Sequence, residues 1–408
     1  MSEFAVLGES LELPCGQQTK NRFFKSAMSE ILATVDHQVS KGLVKLYQRW
    51  ADGGCGVLIT GNVMIDRNAL GEPRNVVFDR DTNKDMVAKW AKAATSNNTD
   101  CWVQLNHPGK QSPKAINPDP VSPSSVPLGK GLDKFFNPPR ELTEDEIYEI
   151  IGKFAFAAKM SKEAGFTGVQ IHGAHGYLVS QFLSPHHNRR EDQWGGSIEN
   201  RMRFVKEVYL AIRNEVGEGF PVGIKLNSAD FQRGGFTEEE STQVIMALDE
   251  MGMDLFEVSG GNYEAPAMTG VKQSTRDREA YFIEFAAKMK RLIKAPVVVT
   301  GGFRSAQGMA DAVASGQVDM VGIARPLTLH PDLPKEVIKG VDVKNQVKPL
   351  TTGVKALDQA GMLEITWYEQ QMARLAKGKR PDPKMNVYWS IARTLASNGI
   401  QAFQKRRA

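Results

Sequence analysis

The stretch VQIHGAHGYLVSQFLSPHHNRREDQWGGSIENRMRF, Val169–Phe204, decides how this chain is read. An apolar β-like run ends in His172, and His175 and Tyr177 follow directly. Imidazole N–H groups polarise an oxygen, and a phenol delivers a proton. The histidines are three residues apart, so a single turn can aim both at one atom. Taken singly, each histidine is more often a packed or surface residue than a catalyst. At the end of a barrel-type strand the trio points to chemistry, because that rim carries the active site in this architecture.

Outward from this stretch, short β-type runs alternate with helical ones. Strands are expected near Phe23–Ala27, Val57–Thr60, Trp102–Leu105, Gly168–Ile171, Val222–Leu226, Leu255–Val258, Val297–Thr300 and Met320–Ile323. Several are continuous apolar runs, as parallel strands covered on both faces require. Eight β/α units predict an α/β protein of the TIM (β/α)8 barrel type, not an open sheet. The chain reads as a single domain over 1–408, with the barrel core at about 20–340. The first twenty residues are expected to cap the barrel bottom, and 341–408 to form a helical extension.

Thr143 and Glu146 make a capping box before Ile147, Ile150, Ile151, Phe154 and Ala158, with Leu142 and Ile147 as the staple and Gly165 as the stop. A second helix starts near Ser197, with Met202, Val205, Tyr209, Ile212 and Val216 in one stripe and Gly217 ending it. The connection 106–140 after strand three is rich in Pro, Ser and Gly and carries Phe135 and Phe136, which reads as a lid. Residues 341–356 read as loop, and Lys355–Gly378 as a helix with Leu363, Trp367 and Leu375 on its apolar side.

Hydrophobic residues make up 41% of the 408, which excludes a disordered chain. The net charge of +4 comes from basic residues scattered among 47 acids, so no nucleic-acid partner is expected. Lys405, Arg406 and Arg407 read as a solvated tail. Cys15, Cys55 and Cys101 suit neither disulfides nor a metal site; Cys55 and Cys101 read as core thiols in a reducing, cytoplasmic compartment. No secretory signal and no membrane-spanning run is expected. Trp367, Tyr368, Tyr388 and Trp389 suit either a homo-oligomer contact or a cover for the barrel.

A phosphate site has its own basis. Strand seven runs into Thr300, Gly301 and Gly302, and strand eight into Gly322, Ile323, Ala324 and Arg325. Glycines let backbone N–H groups approach an anion, and an arginine adds a forked cation. The loops after these two strands are the usual phosphate site of such barrels. Alone, the glycines also suit two ordinary tight turns.

The run Val169–Phe204 resembles, without a break, the flavin-dependent ene-reductases of the Old Yellow Enzyme family, in their NADH:flavin oxidoreductase branch. The resemblance implies tightly bound FMN, with the phosphate held at Gly301, Gly302, Phe303, Ala324 and Arg325. Ala324 replaces a usual glycine but keeps its N–H, so binding survives unless its φ is positive. The resemblance places Gln104 at the pyrimidine edge, Ser29 near flavin O4 and N5, Lys225 as the cation near N1 and O2, and Asn62 nearby. Serine keeps a hydroxyl donor, and lysine keeps the charge but loses the fork. Without the resemblance, Lys225 reads as a strand-end lysine reaching outward.

The resemblance further implies NAD(P)H as reductant and an activated alkene, an unsaturated carbonyl or nitro compound, as substrate. His172 and His175 would hold its oxygen, and Tyr177 would protonate the α-carbon. A flavin-dependent double-bond isomerase fits the same site; a tRNA-modifying reductase fits less well. No cysteine follows Cys101 and no Gly-x-Gly-x-x-Gly follows residue 330, which disfavours members with an iron–sulfur cluster. Arg189, Asp192, Gly195, Gly196, Glu199, Asn200 and Arg201 read as scaffold. His186 and His187 read as polar loop residues, with no metal expected, and His107 is open between substrate contact and packing.

Overall fold

The computed structural model describes residues 3–129, 131–261, 264, 280, 282–344, 350–354 and 362–398. All eight expected strands form: β1 (Phe23–Lys25), β2 (Val57–Ile59), β3 (Asp100–Asn106), β4 (Gly168–Gly173), β5 (Val222–Asn227), β6 (Leu255–Ser259), β7 (Val297–Thr300) and β8 (Met320–Ile323). Each pairs in parallel with the next, and β8 pairs with β1, which closes the barrel. Among the helices that follow the strands are α1 (Lys41–Asp52), α2 (Lys84–Ala94), α3 (Glu144–Ala164), α4 (Arg203–Val216), α5 (Glu238–Glu250), α6 (Ile283–Lys290), α7 (Ala306–Ala314) and α8 (Leu333–Ile338), at least one after each strand.

Strand alternation sorts the side chains. Cys101, Val103 and Leu105 of β3, Val169 and Ile171 of β4, and Val222, Ile224 and Leu226 of β5 face the helices in one large apolar cluster. The intervening residues face inward. At the barrel bottom Phe24, Val57, Ile59, Trp102, Leu255, Val298 and Met320 form a second, separate apolar layer. A hairpin pairing Leu11–Glu12 with Gln18–Thr19 places Leu13 against it, so the N-terminal segment closes the bottom as expected.

Above that plug the interior turns polar. Gln104 Nε2 donates to Gln170 Oε1 at 2.7 Å, and Gln170 Nε2 donates to Glu257 Oε2 at 2.8 Å. Thr300 Oγ1 donates to Glu257 Oε1 at 2.6 Å, and Ser26 Oγ meets Thr300 Oγ1 at 2.6 Å. Lys225 Nζ completes the set, 3.1 Å from Glu257 Oε1. Gly322 makes room: a Cβ there would stand 2.1 Å from Thr300 Oγ1 and 2.7 Å from the Val299 carbonyl.

Thr143 and Glu146 form the expected capping box, and α3 stops at Gly165 in the left-handed conformation. The second expected helix is broken: Ser197 caps a turn over Ile198–Arg201, and α4 begins after Met202. The C-terminal extension contains α9 (Met362–Ala376), with Leu363, Trp367 and Leu375 buried, and α10 (Val387–Asn398), whose bounds within the expected helical extension the sequence did not mark. Residues 355–361 of the expected helix and the basic tail at 405–407 lie outside the described residues. Trp367 and Tyr368 are buried, whereas Tyr388 and Trp389 are 52% and 66% exposed, so the four aromatics do not act as one surface.

Gly322→Ala is expected to cost about 1–3 kcal/mol by overpacking, because the nearest obstacles include a carbonyl that cannot swing away. Urea unfolding of the variant beside wild type measures it; equal midpoints would show that the layer absorbs a methyl group.

Candidate functional site

The upper rim of the barrel collects the inward-facing strand ends. Ala27, Met28, Ser29, Asn62, Gln104, His172, His175 and Lys225 line one cavity there. Six of the residues singled out from the sequence therefore converge. His172 sits opposite Lys225 in the β4–β5 register.

The chain leaves β4 through a tight turn in which His175 and Gly176 take φ of 62° and 76°. A positive φ at a non-glycine residue is uncommon and points to a functional constraint. The turn brings the His172 and His175 rings to 5.2 Å, and the His172 and Tyr177 rings to 4.8 Å, both edge-on. The Ala174 N–H donates to His172 Nδ1 at 3.3 Å. That nitrogen is then the acceptor, so the imidazole proton sits on Nε2. His175 is held differently: its backbone N–H donates to Asn227 Oδ1 at 3.2 Å, and its Nε2 meets Ser259 Oγ at 2.8 Å. The two imidazoles are thus not an equivalent pair, and His172 is the better placed oxygen donor.

Tyr177 is buried against Leu128, Leu132 and Phe136, with Phe135 packed alongside. These come from the long connection after β3, which folds back through a pairing of Val121–Ser122 with Arg140–Glu141 and a bridge between Pro113 and Phe136. The segment read as a lid does cover the phenol.

Three of the expected site residues have partners that the sequence did not indicate. Ser29 Oγ donates to a carboxylate oxygen of Glu72, itself bonded by Asn75. The serine hydroxyl therefore accepts, and does not donate, toward anything else. Lys225 is paired with Glu257, so its charge is compensated. Burial pushes the Glu257 carboxyl up, but Lys225 and the donors Thr300 and Gln170 outweigh it and hold the carboxyl below its ordinary range. Arg325 reaches the C-terminal helix: Nη1 lies 2.6 Å from Glu364 Oε2, and its guanidinium lies 5.8 Å from the Tyr368 ring.

The glycine turns fit an anion. Gly301 and Gly302 take φ of 107° and 91°, and Ala324 does not take a positive φ. The turns follow paired strands, with Thr300 opposite Gly322. Gly301, Gly302, Phe303, Ala324 and Arg325 do not line the cavity of the His–Lys–Gln group. Two polar groups at the rim ask for a ligand. Among the described residues, Asn62 Oδ1 and both amide atoms of Asn106 are buried without a partner; Asn62 lines the cavity and Asn106 does not. Asn106 was missed from sequence, although it lies two residues beyond Gln104 on the same inward face. A buried amide without partners costs about 1–3 kcal/mol, which a hydrogen-bonding ligand offsets. Gln104, Lys225 and the Asn62 amide thus offer hydrogen-bonding groups to the edge of a polar ligand in the cavity, with the glycine turns outside it.

The loop Arg189–Arg201 is scaffold in the structure. Arg201 binds the Leu183 and Gly196 carbonyls and Glu240, and Asn188 binds the Phe182 and Trp194 carbonyls. His107 packs as well: its carbonyl accepts from Leu178 and its Nδ1 from Gly109. His186 and His187 meet a carboxylate that the sequence did not bring near, with Glu264 Oε2 at 3.9 and 3.8 Å. Among the described residues no helix is long and apolar enough to cross a membrane.

Residues 15–344 match the NADH:flavin oxidoreductase / NADH oxidase family. The chain is 39% identical over 352 residues to the NADH-dependent flavin oxidoreductase nadA of Aspergillus parasiticus, covering 82% of this chain and 79% of that one. It is 36% identical over 364 residues to the NADH-dependent flavin oxidoreductase iccE of Talaromyces variabilis, covering 83% and 87%. In fold it is similar to an old yellow enzyme homologue from Zymomonas mobilis, with a TM-score of 0.70 at 22% identity over 84% of this chain and 94% of that one.

Burial lowers the His107 pKa to about 4, against an opposing pull from Asp66. Between its ordinary 6.5 and 4 the unfolded chain takes up a proton that the folded chain refuses, so stability falls as pH falls. The full effect is roughly 3 kcal/mol. Urea unfolding at pH 7 and pH 4.5 is expected to show a smaller loss for His107→Asn than for wild type; equal losses would place the sensitivity elsewhere.

Proposed function

The chain belongs to the NADH:flavin oxidoreductase / NADH oxidase family, and we propose that it is an FMN-dependent ene-reductase. It takes reducing equivalents from NADH or NADPH and uses them on the double bond of an activated alkene, an enone or a nitroalkene. FMN, when bound, supplies hydride exchange with both partners. The observation that carries this reading is His172, which lines the cavity with Gln104 and Lys225, accepts a backbone N–H on Nδ1, and packs edge-on against the buried Tyr177 ring with centroids 4.8 Å apart; Tyr177 stands behind His172 and is not part of the cavity lining.

The protein's part is orientation, charge and proton delivery. Gln104 and Lys225 hold the pyrimidine end of the cofactor, Ser29 and Asn62 border it, and the glycine turns with Arg325 hold the phosphate. Arg325 gives up Glu364 or shares its fork with it. His172 donates to the substrate oxygen and draws electron density from the far alkene carbon, where reduction then occurs. A donor of this type lowers the barrier by about 2.7–4 kcal/mol. His175, steadied by Ser259 and Asn227, packs edge-on beside His172 and limits how the oxygen sits. Tyr177 hands its proton to the α-carbon. The lid residues Leu128, Leu132 and Phe136 keep water from the phenol.

The purified protein is expected to be yellow and to oxidise NADH or NADPH anaerobically when given enones, maleimides or nitroalkenes. Material that is colourless and takes up no FMN on reconstitution would overturn the reading. Tyr177→Phe is expected to slow the alkene half-reaction by about 10²–10⁴-fold while sparing flavin reduction by NAD(P)H. Stopped-flow spectroscopy separates the two half-reactions; equal slowing of both would remove the phenol from the proton-donor role.

A further inference from the structure

Glu257 touches none of the cavity yet reaches two of its walls. It is fully buried, and no residue pairing implied by sequence accounts for it. One carboxylate oxygen meets Lys225 at 3.1 Å and accepts from Thr300 at 2.6 Å. The other accepts from Gln170 at 2.8 Å. We propose that Glu257 is a positioning residue that sets both the charge and the hydrogen-bonding sense of the cavity's pyrimidine end, acting through Lys225 and through the Gln170–Gln104 relay. The inference rests on the flavin reading above.

The argument for the relay is one of donors and acceptors. An ionised carboxylate only accepts. Gln170 must therefore turn its NH2 toward Glu257, which leaves Oε1 toward Gln104. Gln104 in turn must present its NH2 to Gln170, at 2.7 Å. Its own Oε1 is left as the acceptor, which an imide N–H of a flavin requires. Two side-chain amides, either of which can flip in isolation, are locked in one sense by a charge two residues away.

The argument for the ion pair is electrostatic. A cation beside a heterocycle stabilises the negative charge that builds there on reduction. Glu257 compensates that cation, so it holds the bound cofactor at a more reducing potential than Lys225 alone would give. The same carboxylate explains how a lysine with 5% of its side chain exposed stays in place: a buried ammonium without a counter-ion costs several kcal/mol.

The test uses the full chain reconstituted with FMN. Glu257→Gln keeps the volume but removes the charge. Its midpoint potential, measured by equilibration with a reference dye, is expected to move positive by about tenfold in the reduction equilibrium, roughly 30 mV for a two-electron couple. Lys225→Met combined with Glu257→Gln is expected to return it toward wild type. Gln170→Met leaves the ion pair and cuts the relay; it is expected to weaken FMN binding by about tenfold in a fluorescence titration, with the potential little changed. If Glu257→Gln does not fold, Gln170→Met carries the test. A wild-type protein that binds FMN, beside a Glu257→Gln variant of unchanged potential or a Gln170→Met variant of unchanged affinity, overturns the inference and leaves the flavin reading standing. Wild-type protein that binds no FMN overturns both.

Discussion

A carboxylate with no exposed surface must be neutralised and solvated by the protein itself, and in this barrel that demand falls at Glu257. The desolvation of one such ion costs several kcal/mol, recovered only with a counter-ion and well-aligned donors. Lys225, Thr300 and Gln170 supply them. Each of these comes from a different strand, so the requirement fixes the registers of β4, β5, β6 and β7 relative to one another. Ser26 and Gln104 extend the network to the end of β1 and to β3. Beneath it lies an apolar plug that needs no partners, and above it the rim, where the Asn62 carbonyl oxygen is buried without a partner among the described residues. The barrel interior thus passes from self-sufficient to unsatisfied over two layers of side chains.

Much of the fold was legible because it depends on local pattern. Parallel strands buried on both faces are apolar runs, and all eight were placed within a residue or two. The capping box at Thr143 and Glu146 and the stop at Gly165 are also local chemistry, and they stand as expected. What stayed hidden was long-range. The break at Met202 follows from Arg201, which turns inward to bind Leu183, Gly196 and Glu240; a helical stripe does not show that. The helix over Val387–Asn398 carries two aromatics that stay exposed, so its pattern does not declare a buried face.

The same division runs through the site. His172, His175, Gln104, Lys225, Ser29 and Asn62 were found from strand-end position and resemblance, and they share one cavity. Their partners were not found. Glu72 commits the Ser29 hydroxyl, Glu257 compensates Lys225, and Glu364 holds Arg325. A carboxylate in a sequence gives no sign of which distant cation or hydroxyl it will meet. Asn106 and Glu257 did carry a usable signal: each is polar at an inward position of an otherwise apolar run, where an unmatched group must find a partner or a ligand.

Two histidine pairs in one stretch of sequence come to different ends for the same reason. His172 receives a backbone N–H on Nδ1, which leaves Nε2 as a donor at the rim. His187 lies 2.8 Å from Lys110 Nζ through its Nδ1, with Nε2 3.8 Å from Glu264. Burial pulls the Lys110 pKa down to about 8, with Glu264 opposing, so at neutral pH the ammonium still donates to Nδ1. The proton of His187 then sits on Nε2, toward Glu264, and that nitrogen is no ligand for a cation. Burial and the adjoining Lys110 also keep this imidazole uncharged. The cluster of His186, His187 and Glu264 has the spacing to hold a metal ion, but Lys110 fills that electrostatic role first. Through Val126 and His187 it ties the connection after β3 to the loop after β4, which anchors the segment over Tyr177. Residue type selected both pairs from the sequence; which neighbour supplies the hydrogen bond decides that one faces the cavity and the other anchors the connection after β3.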